Sequence, residues 1–460
     1  MCETTVKNIS VTLSGIWSVN YHTMRKVLLV ILTSLALAVS AQETTGSEKM
    51  QWFHDAKLGI FIHWGIYAVD GISESWSFHN RRVTHENYMK QLSGFTAAAY
   101  HPEDWVRLIK NSGARYAVIT SKHHDGVALW NTSMNKLSIP AQTPAGRDVL
   151  SPFVTELRKA GLKTGLYFSL IDWTHPDYPG FLRDSGKYVL ADHPERWSRF
   201  LTFMNGQLDE LKTGINPDLW WFDGDWEHPA DEWKAADIRK ALLAHNPSVI
   251  INGRLAGYGD YDTPEQNFPV TRPDLPAWEL CMTMNDSWGY QGRDVNYKTP
   301  YEIISIFADV IGFGGNMLLD IGPKADGTLP AEQVFILEEL GKWTSKHEEA
   351  IFGTHPGLPQ GHFYGPSTLS ADSLSLYLFV SGGSCGQIVL KGLKNTVKSA
   401  EVMGKGVVLK PKVVGKISWS PVPGLVFLDV PEGAADPYMT VIKLTFEEPV
   451  ALYRGKGGLQ

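Results

Sequence analysis

The chain has 460 residues, 43% hydrophobic and 20% charged, with a net charge of −7. This is ordinary globular composition, with room for one large domain and a smaller one. The mild negative charge argues against a nucleic-acid binder, and 3 cysteines are too few for a disulfide scaffold.

Met24-Arg25-Lys26 is a short basic start, Val27 to Val39 is an apolar core, and Val39-Ser40-Ala41 is a small-residue cleavage site. Residues 24–41 therefore read as a secretory signal peptide, too short in its apolar part for a stable membrane span. Residues 1–23 match no targeting element and read as an upstream extension, with Met24 as the initiator. With the polar linker that follows, residues 1–49 fall outside the fold. Export predicts a periplasmic or extracellular protein, and no later stretch is apolar enough to span a membrane.

From Met50 the chain alternates strand and helix. Leu58 to Gly65 reads as a buried strand ending in His63, and Pro102 to Gly113 as an amphipathic helix with acids in its first turn. Tyr116 to Thr120 is the next strand, running into Ser121-Lys122-His123-His124-Asp125-Gly126. A helix over 149–159 precedes a strand over Lys163 to Ser169. A long helix over 194–211 leads to Leu219-Trp220-Trp221-Phe222, an apolar run of strand length that ends abruptly in Asp223-Gly224. A helix over 232–244 leads to a strand over 249–254, and a helix over 301–310 to a strand over 316–322. The last helix covers 331–349.

Repeated strand–helix alternation means a parallel sheet with helical crossovers. No Gly-rich phosphate loop follows the first strand, which argues against a doubly wound open sheet. The expected fold is a (β/α)8-like barrel over 50–355. Its strand ends carry His63, His123, His124, Tyr167, Asp223 and Arg254, which such a barrel gathers on one face. From 356 to 460 four short strands with Gly/Pro turns read as a small C-terminal β-sandwich, which buttresses the barrel.

Trp beside carboxylate suits a sugar site: the indole face stacks on ring C–H bonds and the acid meets hydroxyls or the anomeric carbon. Glycosidic cleavage needs two carboxyl groups. Asp223 is the expected attacker, and the partner acid is Glu265, on an irregular stretch after Pro264, or Glu279 before a strand-like run. His123 and His124 are expected to meet sugar hydroxyls. A zinc site with His63 and a core role for one of the pair are the alternatives. Trp64, Trp76, Trp226 and Trp288 are candidate platforms, and Arg254 would orient a carboxylate or bind a hydroxyl.

Four motifs carry a resemblance. Phe61-Ile62-His63-Trp64-Gly65, Ser121-Lys122-His123-His124-Asp125-Gly126, Trp221-Phe222-Asp223-Gly224 and Gly315-Asn316-Met317-Leu318-Leu319-Asp320-Ile321-Gly322-Pro323 resemble the signatures of glycoside hydrolase family 29, the retaining α-L-fucosidases, here of a secreted, bacterial type. The resemblance runs in order from Met50 to about Gly353 and implies a β-sandwich after the barrel. It implies that Asp223 is the nucleophile of a glycosyl-enzyme and that Glu265 is the acid/base, with Glu279 in reserve. It places His63, His123 and His124 on fucose hydroxyls, with Trp64, Trp76, Tyr167 and Arg254 in the same pocket. The family's first loop often reads Glu-Trp; here Ser75 separates Glu74 from Trp76. No metal or other cofactor is implied, and the partner is a fucosylated glycan. The competing classes are a barrel glycosidase for another sugar, a non-catalytic carbohydrate binder and a metal hydrolase.

Overall fold

β-Branched, aromatic and leucine-rich runs form the strands of a parallel sheet in the computed structural model, which describes residues 48–180, 186–273, 276–381 and 386–455. The leader read at 24–41 lies outside them. The strands are β1 (Leu58–Ile62), β2 (Tyr116–Lys122), β3 (Lys163–Ser169), β4 (Leu219–Asp223), β5 (Ile250–Ile251), β6 (Glu279–Thr283) and β7 (Asn316–Ile321). Their order is β5-β4-β3-β2-β1-β7-β6, every pairing parallel. The main crossover helices are α1 (Pro102–Asn111), α2 (Leu150–Lys159), α3 (Pro194–Gly214), α4 (Ala235–His245), α5 (Pro300–Gly312) and α6 (Ala331–Lys346).

The sheet closes without a regular eighth strand. Between β5 and β6 the segment Tyr261–Glu265 makes single parallel bridges, Asn252 to Tyr261 on one side and Asp262 to Trp278 and Glu265 to Cys281 on the other. This is the (β/α)8-like barrel expected, with one irregular stave.

The period-2 rule sorts the side chains. Leu58, Ile60 and Ile62 of β1 and Trp220 and Phe222 of β4 pack in the layer between strands and helices. Phe61 and Trp221 point inward and meet, ring centroids 4.9 Å apart. Gly59 leaves room for the Tyr116 ring, since a Cβ there would lie 2.4 Å from it.

Two boundaries differ from expectation. The helix expected over 232–244 is broken at Lys234, which has φ +58°, into Ala230–Trp233 and α4. The strand expected over 249–254 is only Ile250–Ile251, because Asp260 N–H bonds back to Ile251 O at 2.6 Å and closes a loop.

After β8 (His355–Pro356) come β9 (Ser367–Leu369), β10 (Ser375–Ser381), β11 (Gln387–Leu390), β12 (Ser399–Val402), β13 (Val407–Val408), β14 (Lys412–Val414), β15 (Leu425–Asp429) and β16 (Met439–Thr445). They form a six-stranded and a three-stranded antiparallel sheet. Along β10 and β16 alternate residues diverge. Leu376, Leu378, Ile442 and Leu444 join Val426 and Leu428 in a core of their own. Tyr377, Phe379, Met439 and Val441 belong to the barrel's core. Trp343 of α6 seals the joint, donating Nε1–H to Met439 O at 2.8 Å. Among the described residues no helix is long and apolar enough to cross a membrane.

Candidate active site

Asp223 ends β4 with the inward parity of Trp221. Gly224 then takes φ +87°, where a Cβ would lie 2.7 Å from the Ile171 side chain, so the chain turns immediately into the short helix Asp225–Glu227. Both oxygens of Asp223 are held. Tyr167 O–H donates to Oδ2 at 2.9 Å, and Arg254 Nη1–H donates to Oδ1 at 3.0 Å.

Arg254 also donates Nη2–H to Glu265 Oε2 at 2.7 Å and Nε–H to Thr263 Oγ1 at 3.0 Å. Burial opposes its charge, but Asp223, Cys281 and Glu265 around it outweigh burial and hold its pKa above the ordinary value. One guanidinium thus joins the two carboxylates expected to carry the chemistry. Glu265 lies on the irregular stave, with 42% of its side chain exposed, so a leaving group or water can reach it.

Glu279 is elsewhere. It opens β6 at the opposite, N-terminal end of the barrel, fully buried. Tyr116 O–H donates to Oε2, and Trp221 Nε1–H to Oε1 at 3.1 Å. Burial pushes its pKa up to about 7, against those hydrogen bonds. A carboxyl sealed under Trp221 has no path to a glycosidic oxygen.

The three histidines converge. His63 Nδ1 lies 2.7 Å from Asp320 Oδ1 on the neighbouring β7. Burial and His123 press His63 below its ordinary pKa, while burial and Glu74 press Asp320 above its own, so both shifts favour an uncharged pair. His123 Nδ1 lies 2.5 Å from Ser75 Oγ, and its ring stacks on Tyr167. His124 Nδ1 lies 2.6 Å from Ser169 Oγ, whose hydroxyl proton is committed to Ile171 O at 2.7 Å. Ser169 therefore accepts, Nδ1 of His124 carries the proton, and Nε2 presents a lone pair 3.6 Å from Asp223 Oδ2. Burial, then Lys122, keeps His124 well below its ordinary pKa and hence neutral.

The aromatic candidates divide. Trp288 lies 5.0 Å from His63 and Trp76 5.6 Å from His124, ring centre to ring centre. Glu74, buried, accepts from Gly289 N–H at 2.6 Å and so ties the loop of Trp76 to that of Trp288. Trp64 is not brought to this group. It is 1% exposed, wedged among Phe95, Tyr100 and Trp105, with Nε1–H donated to Lys324 O. It has the parity of Ile62, opposite to His63, and the period-2 rule applied one residue past the strand would have placed it in the outer layer.

Sequence reasoning gave no role to Ser75, Ser169, Thr263, Asp320 or Trp221. Trp221 and Asp320 lay within quoted motifs, and their inward parity was available. The two serines carry no signal of their own. Among the described residues no cluster of three or more His, Cys, Asp or Glu is placed to hold a metal ion. Cys281 is a free thiol inside the barrel; Cys385 lies outside the described residues.

The family model for alpha-L-fucosidase matches residues 35–349. The chain belongs to the α-L-fucosidase family. Human tissue alpha-L-fucosidase is 33% identical over 335 residues, 66% of this chain and 69% of that protein. The Dictyostelium discoideum alpha-L-fucosidase is 31% identical over 336 residues, 66% of this chain and 72% of that protein. Among solved structures, alpha-L-fucosidase isoenzyme 1 from Paenibacillus thiaminolyticus superposes with a TM-score of 0.79 at 32% identity, covering 88% of this chain and 100% of that one. The Bacteroides thetaiotaomicron family-29 alpha-L-fucosidase, trapped as a covalent intermediate with 2-fluoro-fucosyl fluoride, superposes with a TM-score of 0.74 at 28% identity, covering 86% of this chain and 96% of that one. The family places this chain among the glycoside hydrolases of α-L-fucosidase type. Its relatives come from eukaryotes and bacteria, so membership does not single out the bacterial type expected from the sequence.

Proposed function

We propose that the chain is a retaining enzyme that removes terminal α-L-fucose from oligosaccharides or glycans by double displacement. The observation that carries this reading is the Asp223–Arg254–Glu265 bridge at the C-terminal face of the barrel, with three neutral histidines beside it. The trapped covalent intermediate of the Bacteroides relative supports the same chemistry here.

In the first step an Asp223 oxygen forms a bond to the anomeric carbon while the C–O bond to the aglycone breaks. Glu265 delivers its proton to the departing oxygen. In the second step Glu265, now a carboxylate, takes a proton from water, whose oxygen displaces Asp223 and releases fucose with its configuration retained. Arg254 and Tyr167 fix the direction of the nucleophile and are positioned to balance charge as it is used and regenerated. The bond that Arg254 Nη2–H donates to Glu265 Oε2 orients that carboxyl beside Asp223.

The neutral His124 Nε2 accepts from a fucose hydroxyl. His63 and His123 offer their second ring nitrogens to others, and Glu74, Trp76 and Trp288 complete the walls. The leader at 24–41 supports export to the periplasm or beyond.

A fluorinated, mechanism-based fucoside followed by peptide mass spectrometry tests the proposal. Label on Asp223, together with retained product configuration by NMR, supports it. Label on another residue, or inverted product, overturns it.

A further inference from the structure

The three-stranded sheet of the C-terminal domain has one open face. Its strand order is β11-β15-β14, which leaves β14 at an edge. Ile388 and Leu390 of β11 and Val426 and Leu428 of β15 turn into the C-terminal core. By the period-2 rule Val389, Leu425 and Phe427 turn the other way. The register sets Lys412 opposite Phe427 and Val414 opposite Leu425, so both residues of β14 share that outer face. Val414 and Leu425 are 42% and 39% exposed, an apolar pair that nothing in the chain covers.

The hairpin that joins β14 to β15 extends this face. Its base is closed tightly, since a Cβ at Gly424 would lie 2.7 Å from Val414 O. Further out, Ser420 N–H donates to Ile417 O at 3.3 Å and closes a turn that carries Ile417 and Trp419. Every residue from 412 to 419 is exposed, and Trp419 is 83% exposed. An indole left in water gains by covering its face with an apolar surface. Charge decides what fits. From residue 402 to residue 428 the chain holds Lys405, Lys410, Lys412 and Lys416 and no Asp or Glu, although its net charge is −7. Asp429, which shares the outer face, stands at the far end of β15 and accepts from Gln387 Nε2–H at 3.0 Å. A second copy would set like charges together, and Pro411 and Lys412 at the edge oppose pairing between strands. A sugar would present hydroxyls that Val414, Ile417 and Leu425 cannot meet.

We propose that this face docks on an anionic lipid surface, with Trp419 and Ile417 seated among the headgroups and Lys410, Lys412 and Lys416 on their phosphates. Such a surface matches both features at once: it takes aliphatic and indole groups at its acyl boundary and ammonium groups at its rim. The contact is peripheral and needs no spanning segment. It gives the chain a place to work and does not depend on the fucosidase reading.

Co-sedimentation with vesicles tests this in the full chain, in Trp419→Ala and in the double variant Lys412→Ala, Lys416→Ala. The parent should bind phosphatidylcholine vesicles that contain about one third phosphatidylglycerol, bind pure phosphatidylcholine far more weakly, and come off in high salt. Trp419→Ala should bind the anionic vesicles about tenfold more weakly, and the double variant about 30-fold more weakly. Both variants should melt with the parent, since only exposed side chains change. No binding to the anionic vesicles, or equal binding by parent and variants, would overturn the proposal. So would capture of a sulfated polysaccharide without lipid binding, or self-association of the parent that Trp419→Ala abolishes.

Discussion

Arg254 lies over the face of Trp221, its guanidinium carbon 4.6 Å from the ring centroid. The ring below fixes the height of the guanidinium, and the guanidinium fixes both carboxylates. Lysine has no planar fork to span two acids. Arg254→Lys should lower kcat on an aryl fucoside by about 100-fold with a much smaller change in KM, since the contact acts on the reacting groups rather than on bound sugar. Steady-state kinetics at saturating substrate measures the split.

Glu265 and Glu279 can be separated by chemical rescue. In Glu265→Ala, an activated aryl fucoside should still form the intermediate, and azide should restore turnover by attacking it and giving fucosyl azide. Glu279→Ala should show no rescue, because that carboxyl lies under Trp221. Rescue in Glu279→Ala alone would exchange their roles.

Glu279 should also leave a signature in stability. Its pKa is raised from 4.5 to about 7, so between those values the folded state holds a proton that the unfolded state has lost. Stability therefore falls as pH rises from about 4.5 to about 7 and stays lower above, by about 3 kcal/mol for this group. Glu279→Gln cannot ionise. The difference in melting temperature between the two proteins should shift in favour of the variant as pH rises through that window, and a constant difference would count against the buried-acid reading.

Ser169→Ala removes the acceptor that keeps the His124 proton on Nδ1. The ring then has no fixed tautomer, and its acceptor toward the sugar is lost part of the time. KM for an aryl fucoside should rise roughly 3- to 10-fold, about 1 kcal/mol, with kcat changing less. Nitrogen NMR of the labelled imidazole should show Nδ1 protonated in the parent and a tautomer mixture in the variant.

The fold was legible where an apolar run leads into an ionisable residue: β4 announces itself in Leu219 to Asp223, and β1 in Leu58 to Ile62 just before His63. Less legible was anything governed by contacts distant in the chain. Glu279 reads like Glu265 in one dimension, and only the register of β6 on β7 shows it opening at the far end, opposite Asn316. Trp64 was drawn into the site by its neighbour His63, although adjacent extended residues face opposite ways. Ser75 interrupts the Glu-Trp spacing of the family, yet its hydroxyl meets His123, so the extra residue is used. In the C-terminal sheets β8, β9 and β12 to β14 were missed, being only two to four residues long and carrying little periodicity.

The stave that completes the barrel has consequences of its own. Tyr261–Glu265 is joined to its neighbours by isolated bridges, whereas β1 to β4 are bound by ladders of four to six residue pairs, with one register shift between β2 and β3. Asp223, the proposed nucleophile, therefore sits on a strand laddered continuously to β3, and Glu265, its proposed partner, on a segment held by single bridges. A seam of this kind tolerates insertions and substitutions that a ladder would not. Amide exchange should find this seam opening well before the strand that bears Asp223.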